Sequence, residues 1–407
     1  MSTSALSEVP VAGIVRRLTE PRTIGIVGVA CGLVAFWLAL PPWTLRDVGG
    51  PIAAGFVGLA CGLAVVTRGE RRLGWWAIGL GMVGALGAVW LQTKDADTLN
   101  DVLTAGVLAS TLRFATPLAF AALGGLVSER SGVVNIGLEG MMLMGAFFGV
   151  WGAEASGSWV VGILVAMVSG GVLALVHGVF SIHFRADQIV SGFAVNFLAL
   201  GLTGYLFSSI YPGGIPSDIA RVPNVDLGFL SGIPAVGDFL VNVLGDLSLM
   251  VWLMVGSVIL VSVVLFRTPI GLRIRSVGEH PRAADTVGIS VYGIRYTAVV
   301  VSGILAALGG AFLSIGFTGT FAENMTSGRG FIGLAAMIFG KWLPGPTFAA
   351  TLLFGFGFAL AIPLQREAGV SENIISTLPY VLTLVALVGV IGRSVPPAAD
   401  GKPYVKQ

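Results

Sequence analysis

The chain has 407 residues and a formal net charge of +2; 55% of its residues are hydrophobic and only 11% are charged. Soluble domains carry about 25% charged residues, so this composition excludes a water-soluble globular protein. The charge gives no indication of nucleic-acid binding. His177, His183 and His280 are too few and too dispersed for a metal cluster, and we expect neither a metal site nor a cofactor. Cys31 and Cys61 lie in apolar stretches, where small buried thiols are expected rather than a disulfide.

Nearly continuous apolar segments of membrane-spanning length follow one another along the chain. They predict an all-α, polytopic integral membrane protein with about 11 or 12 transmembrane helices. A helix rises about 1.5 Å per residue, so most segments can cross a hydrocarbon core of about 30 Å. The run 330–343 is short and is expected to be a half-helix or a re-entrant segment. The predicted spans are 24–40, 51–67, 73–91, 102–127, 133–152, 159–183, 188–211, 248–266, 292–317, 330–343, 346–363 and 374–392.

The distribution of Lys and Arg predicts how these spans are oriented. If the N-terminus is cytoplasmic and all twelve segments cross, the inside loops hold 17 Lys and Arg residues and the outside loops hold five. Acidic residues show the opposite bias, and the long outside loop 212–247 carries four aspartates against Arg221 alone. We therefore expect both termini on the cytoplasmic side of the membrane.

The polarity of the spans divides the chain into regions. Residues 1–95 contain three Gly- and Trp-rich spans without obvious chemistry, and we expect them to form an accessory bundle of packing helices. Beyond this bundle the spans carry Asn, Glu, His and Arg. The functional core is therefore placed at 96–395, with a cytoplasmic loop at 267–291, and residues 396–407 are expected to form a cytoplasmic tail.

Away from the ends of the predicted spans, two formal charges remain, Arg113 and Glu139. A charge at membrane depth is costly and usually faces a cavity or a partner. Asn135 and Glu139 are four residues apart in the segment SERSGVVNIGLEGMM, so we expect both on one helix face. That face lines a solute path, or it satisfies a neighbouring helix; both interpretations are open. For Glu139 we favour a hydrated cavity over pairing with Arg113, and Asn196 and Phe147 are further candidate path residues.

The largest inside loop, RTPIGLRIRSVGEHPRAADTVGIS, is punctuated like a short helix. Pro281 is favoured at a first helical position, and Gly288 can end the helix in the left-handed conformation. Because so short a helix is marginal in water, we predict a coupling element that docks on a cytoplasmic partner, with small Ala284 allowing close approach. The alternative is a solvated basic loop held by anionic lipid. The residues assigned to the element are Glu279, His280, Pro281, Arg282, Ala283, Ala284, Asp285 and Gly288.

The stretch GRGFIGLAAMIFGKWLPGP at 328–346 is Gly-rich and broken. Its Gly340–Lys341 pair invites comparison with a phosphate-binding loop. However, Ala335 stands where the first glycine is required, and Trp342 replaces the Ser or Thr. No other stretch resembles a nucleotide-binding loop, so the chain is not expected to hydrolyse ATP itself.

Three segments together resemble the permeases of bacterial simple-sugar and nucleoside ABC importers: Ser128–Met142, LRIRSVGEHPRAADTVGISVYGIRYTAVVVSGILAALGGAFLS and GRGFIGLAAMIFGKW. The resemblance runs from about Leu103 to Arg393, and ERSGVVNIGLEGMM is typical of the nucleoside branch. Branched-chain amino acid permeases are more distant relatives. The resemblance implies a transport subunit in the bacterial cytoplasmic membrane, with no enzymatic activity of its own. It implies three kinds of partner: cytoplasmic ABC ATPase subunits that contact Glu279 to Gly288, a second homologous permease, and an extracytoplasmic substrate-binding lipoprotein.

The sequence therefore predicts the transmembrane permease subunit of an ATP-driven importer for a nucleoside or a related sugar-containing solute. The alternatives are a permease of the same class for simple sugars or branched-chain amino acids and, with less support, a secondary transporter. A secondary transporter needs coupling-ion ligands near the midplane, and Glu139 is the only carboxylate within a predicted span. Polar residues inside the spans count against a membrane scaffold without a transport role.

Overall fold

The structure, a computed structural model, describes residues 20–38, 49–69, 74–82, 105–216, 218–233, 237–367 and 394–406. These residues are predominantly α-helical, which confirms the predicted fold class. The chain divides into two compact units, 1–104 with 366–369 and 105–365 with 370–407. The predicted boundary at residue 95 lies close to this division, and the accessory role of the first unit stays a prediction.

In the first unit, the structure describes two helices and a further helical stretch: α1 (Pro21–Leu38), α2 (Gly49–Thr67) and 74–82. Glycines let these helices approach closely, since a Cβ at Gly58 would lie 3.1 Å from the carbonyl oxygen of Gly28. Cys31 and Cys61 are free, as expected, and half-buried rather than fully buried.

The second unit is a helical assembly with two short strands. The π-helical turns Val179–His183 and Phe312–Thr318 directly follow the helices Trp159–Gly178 and Val291–Ala311, and Gly228–Gly232 forms a 3₁₀-helix. The strands β1 (Asn224–Asp226) and β2 (Asp246–Ser248) are antiparallel, with Val225 opposite Leu247. The α-helices are α3 (Ala105–Glu129), α4 (Leu138–Ser156), α5 (Trp159–Gly178), α6 (Gln188–Ile210), α7 (Gly237–Leu244), α8 (Leu249–Arg267), α9 (Pro269–Glu279), α10 (Pro281–Thr286), α11 (Val291–Ala311), α12 (Arg329–Phe339) and α13 (Pro344–Glu367).

Six helices of the described residues are long and apolar enough to cross a membrane, which confirms a multi-pass membrane protein. They are Gly106–Glu129, Trp159–His183, Gln188–Ile210, Leu249–Arg267, Val291–Thr318 and Pro344–Ala361. Each matches a predicted span within a few residues. The predicted span 374–392 and the second half of 73–91 lie outside the described residues.

The centre of the second unit is formed by α3, α4 and α11. The buried share of the most apolar stretch is 83% for the span that contains α11 and 67% for the span of α3. The same share is 28% for α6 and for α8. Small residues allow the central helices to touch: Gly145 packs on the backbone of Ala307, and Gly310 packs on the carbonyl group of Met142. A side chain at either glycine would overlap the neighbouring backbone, so close packing here depends on glycine.

Candidate functional site

The chain between α3 and α4 leaves the helical conformation, and we call residues 131–137 the linking segment. It turns through Gly132, whose φ of +86° lies in the left-handed region. The Ser128 hydroxyl donates a hydrogen bond of 2.7 Å to the carbonyl oxygen of Val133 and closes the turn. The most recognisable stretch of the sequence is therefore a helix break rather than a continuous span.

This break corrects one prediction. Helix α4 begins at Leu138, so the predicted span 133–152 starts too early. Asn135 lies in the linking segment and Glu139 in the first turn of α4, so the expectation that they share a helix face is wrong. Asn135 is fully buried, and its Nδ2 donates to the Ser302 hydroxyl of α11 at 2.9 Å. Asn135 thus attaches the linking segment to the central helix.

Two polar side chains from α5 and α6 bind the backbone of the linking segment at Val134. Gln188 Oε1 accepts from the Val134 N–H at 2.7 Å, and His177 Nε2 lies 3.1 Å from the Val134 carbonyl oxygen. The other ring nitrogen of His177 lies 3.0 Å from the Ser191 hydroxyl, and the imidazole is buried. Non-helical backbone in apolar surroundings needs such partners, because water is not available to it. His177 therefore has a structural role here.

Asn196 of α6 bonds to both sides of the start of α4. Its Nδ2 donates to the Ile136 carbonyl oxygen at 3.0 Å, and its Oδ1 accepts from the Gly140 N–H at 2.8 Å. The absence of a side chain at Gly140 permits this contact, since a Cβ there would lie 2.9 Å from the Asn196 Cα. Asn196 therefore positions α4 against α6 through backbone hydrogen bonds.

Glu139 binds the N-terminus of the short helix α12. Its Oε1 accepts from the Gly328 N–H at 2.7 Å, and its Oε2 accepts from the Gly330 N–H at 2.6 Å. Gly328 precedes the helix with φ of +81°, a conformation that favours glycine. A carboxylate at a helix N-terminus is stabilised by the unpaired N–H groups and the helix dipole. Glu139 is 8% exposed, so its partners are backbone groups instead of the expected hydrated cavity.

The other end of α12 is held by the end of α3. Trp342 Nε1 donates to Glu129 Oε2 at 2.6 Å, and the Arg130 guanidinium donates to the Trp342 carbonyl oxygen at 2.7 and 3.0 Å. Eleven residues of helix are about 16 Å long, too short to span the membrane. The predicted short segment is thus confirmed as a half-helix, clamped at both ends by Glu129, Arg130 and Glu139.

Arg113 lies on α3 and has its partner in strand β2. Its guanidinium donates to the Asp246 carbonyl oxygen at 2.8 Å and lies 3.7 Å from the Asp246 carboxylate. Together with Asn224 and Ser248, this pair lines a cavity of about 190 Å³. Arg113 is therefore paired with Asp246 and not with Glu139.

Phe147 lies among aromatic side chains in the interior and is 1% exposed. Its ring centroid is 5.2 Å from that of Phe321 and 6.4 Å from that of Tyr211, both in edge-to-face arrangements. Such pairs stabilise a packed core. In this conformation the Phe147 ring has no surface free for a solute.

The predicted coupling element is helical. Helix α10 begins at Pro281, and Gly288 lies just beyond its end with φ of +83°, as the punctuation of the sequence predicts. The sequence did not indicate that the residues before it form a further helix, α9. His280, Arg282 and Ala283 are exposed, so α10 presents a basic and small-residue face to the surroundings.

Ala284 lies on the opposite face of α10. It is 3% exposed and packs with Val277, Val291 and Tyr404. The expectation that Ala284 meets a partner is therefore wrong, because its side chain is enclosed by the protein itself. Ala283 occupies the exposed position instead.

The C-terminal residues 394–406 run along α9 and α10, a contact that the sequence did not indicate. The Ala398 N–H donates to Glu279 Oε2 at 3.1 Å, and the Ala399 N–H donates to the Gly278 carbonyl oxygen at 2.9 Å. Glu279, assigned to the coupling element, thus holds this C-terminal tail in place.

The same tail carries a partly buried acidic group, Asp400, close to Glu129 and Arg295. Burial raises the pKa of Asp400 to about 7, and its contacts with Glu129 and Arg295 keep the pKa from rising further. The Arg295 guanidinium also donates to the Lys402 carbonyl oxygen at 3.0 Å. Because the pKa is raised in the folded state, the contribution of Asp400 to stability is largest below about pH 4 and is lost as the pH rises through about 7.

A family model described as the permease component of branched-chain amino acid transport systems matches residues 107–388. The chain belongs to this permease family. The matched range contains the linking segment, the half-helix α12 and helix α10. Residues 1–104 of the first unit lie outside the match.

Similar permeases carry names that specify their solutes. The guanosine ABC transporter permease protein NupQ of Bacillus subtilis (strain 168) is 43% identical over 317 residues, 74% of this chain and 96% of that protein. The nucleoside ABC transporter permease protein NupC of Lactococcus lactis subsp. cremoris is 39% identical, with the same shares covered. The putative glucose ABC transporter permease protein TsgC13 of Haloferax volcanii is 34% identical over 70% of this chain and 91% of that protein. No solved structure matches the chain significantly. The predicted resemblance to nucleoside-type ABC permeases is confirmed.

Proposed function

We propose that this permease is the membrane-spanning subunit of an ATP-driven importer for nucleosides. The observation that carries the proposal is its similarity, over most of the chain, to permeases named for guanosine and nucleoside transport. The solute crosses unchanged, and ATP is hydrolysed on separate ATPase subunits. A simple sugar is the second candidate solute, because a relative named for glucose transport is 34% identical.

The contact between Glu139 and the N-terminus of α12 favours a solute without negative charge. Helix N-termini in membrane transporters attract anionic groups of their solutes. Here that position is occupied by the carboxylate of Glu139. A carboxylate on the solute would meet this fixed negative charge, which disfavours branched-chain amino acids and agrees with a nucleoside or a sugar.

The proposed path surface lies where α6 and α12 meet. Phe193 and Phe331 are 45% and 40% exposed, and their ring centroids are 6.2 Å apart at an interplanar angle of 34°. Phe331 directly follows Gly330, which binds Glu139, and the chain at 319–328 before it is not helical. Non-helical backbone at membrane depth faces protein or a water-filled cavity rather than lipid. We infer that the two rings face the path, where aromatic faces can stack on a nucleobase.

Replacing Phe331 with alanine is expected to raise the nucleoside concentration for half-maximal uptake about five- to a hundred-fold, because stacking on a base is worth about 1–3 kcal/mol. The matched control is Phe180→Ala, since Phe180 is 47% exposed on the turn that extends α5. Concentration-dependent uptake of a labelled nucleoside measures both variants. Equal concentration dependence in the two variants would contradict the proposed path surface.

The remaining partners belong to the same proposal. A second homologous permease completes the path, since this chain supplies one exposed wall. Cytoplasmic ATPase subunits contact the exposed face of α10, and an extracytoplasmic lipoprotein delivers the solute. We place the complex in the bacterial cytoplasmic membrane with both termini on the cytoplasmic side, following the Lys and Arg bias. ATP binding and hydrolysis then move α10, and rigid-body motion of the helices alternates access.

Competition for uptake tests the solute class. Cells that lack other nucleoside uptake, and that express the complete importer, are supplied with labelled guanosine and an excess of an unlabelled competitor. Other nucleosides are expected to suppress uptake, whereas glucose and leucine are expected to leave it unchanged. Uptake of labelled glucose in place of guanosine would favour the second candidate.

Deleting residues 1–95 is expected to leave uptake measurable, because the family match begins at residue 107. We propose that the first unit is an accessory bundle whose loss changes the amount or the stability of the permease more than its transport rate. Uptake per permease molecule in the membrane is the measurement. Complete loss of uptake with the shortened chain still present in the membrane would show that the bundle is integral to transport.

A further inference from the structure

A groove of about 540 Å³ lies between α10 and the C-terminal tail. One wall is the exposed face of α10, and the other is formed by the last described residues of the chain. The side chains that the two walls present are His280, Arg282 and Ala283 on α10, and Lys402, Pro403 and Val405 on the tail.

The tail wall is fixed to α10 and its neighbours. The Tyr404 ring packs on Ala284 and lies 5.6 Å from the Tyr292 ring, whose hydroxyl donates to the Tyr404 carbonyl oxygen at 3.3 Å. Hydrogen bonds from the Ala398 N–H to Glu279 and from Arg295 to the Lys402 carbonyl oxygen secure the tail before this point. The groove is therefore built by two elements that hold each other, and its second wall continues the surface of α10.

The groove has a basic and partly apolar character. Arg282 and Lys402 are exposed and line opposite walls, whereas the Glu279 carboxylate already accepts a hydrogen bond from the tail backbone. Val405 is 49% exposed at the groove although it is apolar. A protein segment that carries an acidic side chain beside an apolar one fits these two features.

We propose that the C-terminal tail is the second wall of the ATPase-docking site, so that the ATPase subunit inserts an acidic and apolar segment between α10 and the tail. The inference rests on the proposed function, in which an ATPase contacts α10. It adds that residues 402–405 belong to the same interface, because their wall is continuous with α10 and both walls present a basic side chain, Arg282 on one and Lys402 on the other. Movement of the ATPase is then transmitted to α10 and the tail together.

Paired valine variants test this inference in the complete importer. Val405→Asp is expected to lower the amount of ATPase subunit that co-purifies per permease by about fivefold or more, since an unpaired charge enters the interface. The matched control is Val395→Asp: Val395 belongs to the same tail and is 70% exposed, but it does not line the groove. The control is expected to retain the ATPase at the wild-type level.

A second pair tests the charge of the groove. Lys402→Glu is expected to weaken retention of the ATPase, whereas Lys406→Glu is expected to leave it unchanged, because Lys406 is exposed outside the groove. Wild-type retention in both Val405→Asp and Lys402→Glu would overturn the inference while leaving the proposed function intact. A wild-type permease that transports without retaining any ATPase would overturn the proposed function, and this inference with it.

Discussion

Replacing Glu139 with leucine is expected to abolish solute uptake. The carboxylate accepts from the Gly328 and Gly330 N–H groups, and leucine removes the acceptor from both, of which the Gly330 donor is buried. Each unsatisfied donor costs about 1–3 kcal/mol, and the N-terminus of α12 loses its negative partner. Glutamine retains one acceptor oxygen and is expected to lower uptake about tenfold. The initial rate of labelled nucleoside uptake, divided by the amount of permease in the membrane, measures both variants.

The control for Glu139 is a second carboxylate of the same helix. Glu154 lies near the other end of α4, where it is exposed and accepts from the Tyr211 hydroxyl at 3.2 Å. Glu154→Gln is expected to transport at close to the wild-type rate. Normal uptake by the leucine variant of Glu139 would show that the clamp on α12 is dispensable for transport.

Replacing Ala283 with aspartate is expected to stop transport without preventing membrane insertion. The aspartate adds charge and bulk to the exposed face of α10, where the ATPase is proposed to pack. Burying an unpaired charge in an interface costs several kcal/mol, so uptake is expected to fall by about tenfold or more. Uptake and ATP hydrolysis, measured on the same membranes, will show whether hydrolysis continues without transport.

Two alanine controls separate docking from folding. Ala155→Asp places the same charge on an exposed residue in the last turn of α4, away from the proposed path and docking surfaces, and is expected to have little effect. Ala284→Asp buries the charge beside Val277 and Tyr404 and is expected to reduce the amount of folded permease. Wild-type uptake by the Ala283 variant would contradict the proposed docking face.

The spans and the ends of α10 follow from local sequence. Charged residues are scarce enough in this chain that they mark the ends of the apolar segments. Pro281 and Gly288 each favour one position at a helix end because of their own backbone geometry. The run 330–343 is too short to cross, so the half-helix α12 was predictable as well.

The linking segment could not be predicted, because the side chains that stabilise it are remote in sequence. Its valines continue the apolar pattern of a span, and nothing local marks the late start of α4. The non-helical backbone is held by hydrogen bonds to His177, Gln188 and Asn196, which are separated by 43 to 60 residues from their partners in the segment. Polar residues in apolar helices indicate that each has a hydrogen-bond partner, but the sequence does not indicate which residue that partner is.

The sequence also could not predict which face of α10 is exposed. A helix of six residues is too short for periodicity to distinguish Ala283 from Ala284. What decides between them is the tail, since Tyr404 covers one face of the helix and leaves the other exposed. The same contact turns a segment expected to be a plain cytoplasmic tail into one wall of a groove.

Transport by purified components in lipid vesicles tests the central claim most directly. The permease is reconstituted with its second permease, the ATPase subunits and the solute-binding lipoprotein, and uptake of labelled guanosine is followed. Guanosine is expected to accumulate only with ATP hydrolysis, and accumulation is expected to cease when the ATPase subunits are omitted. Accumulation driven by an ion gradient through the permease alone, without ATPase subunits, would contradict the proposed function.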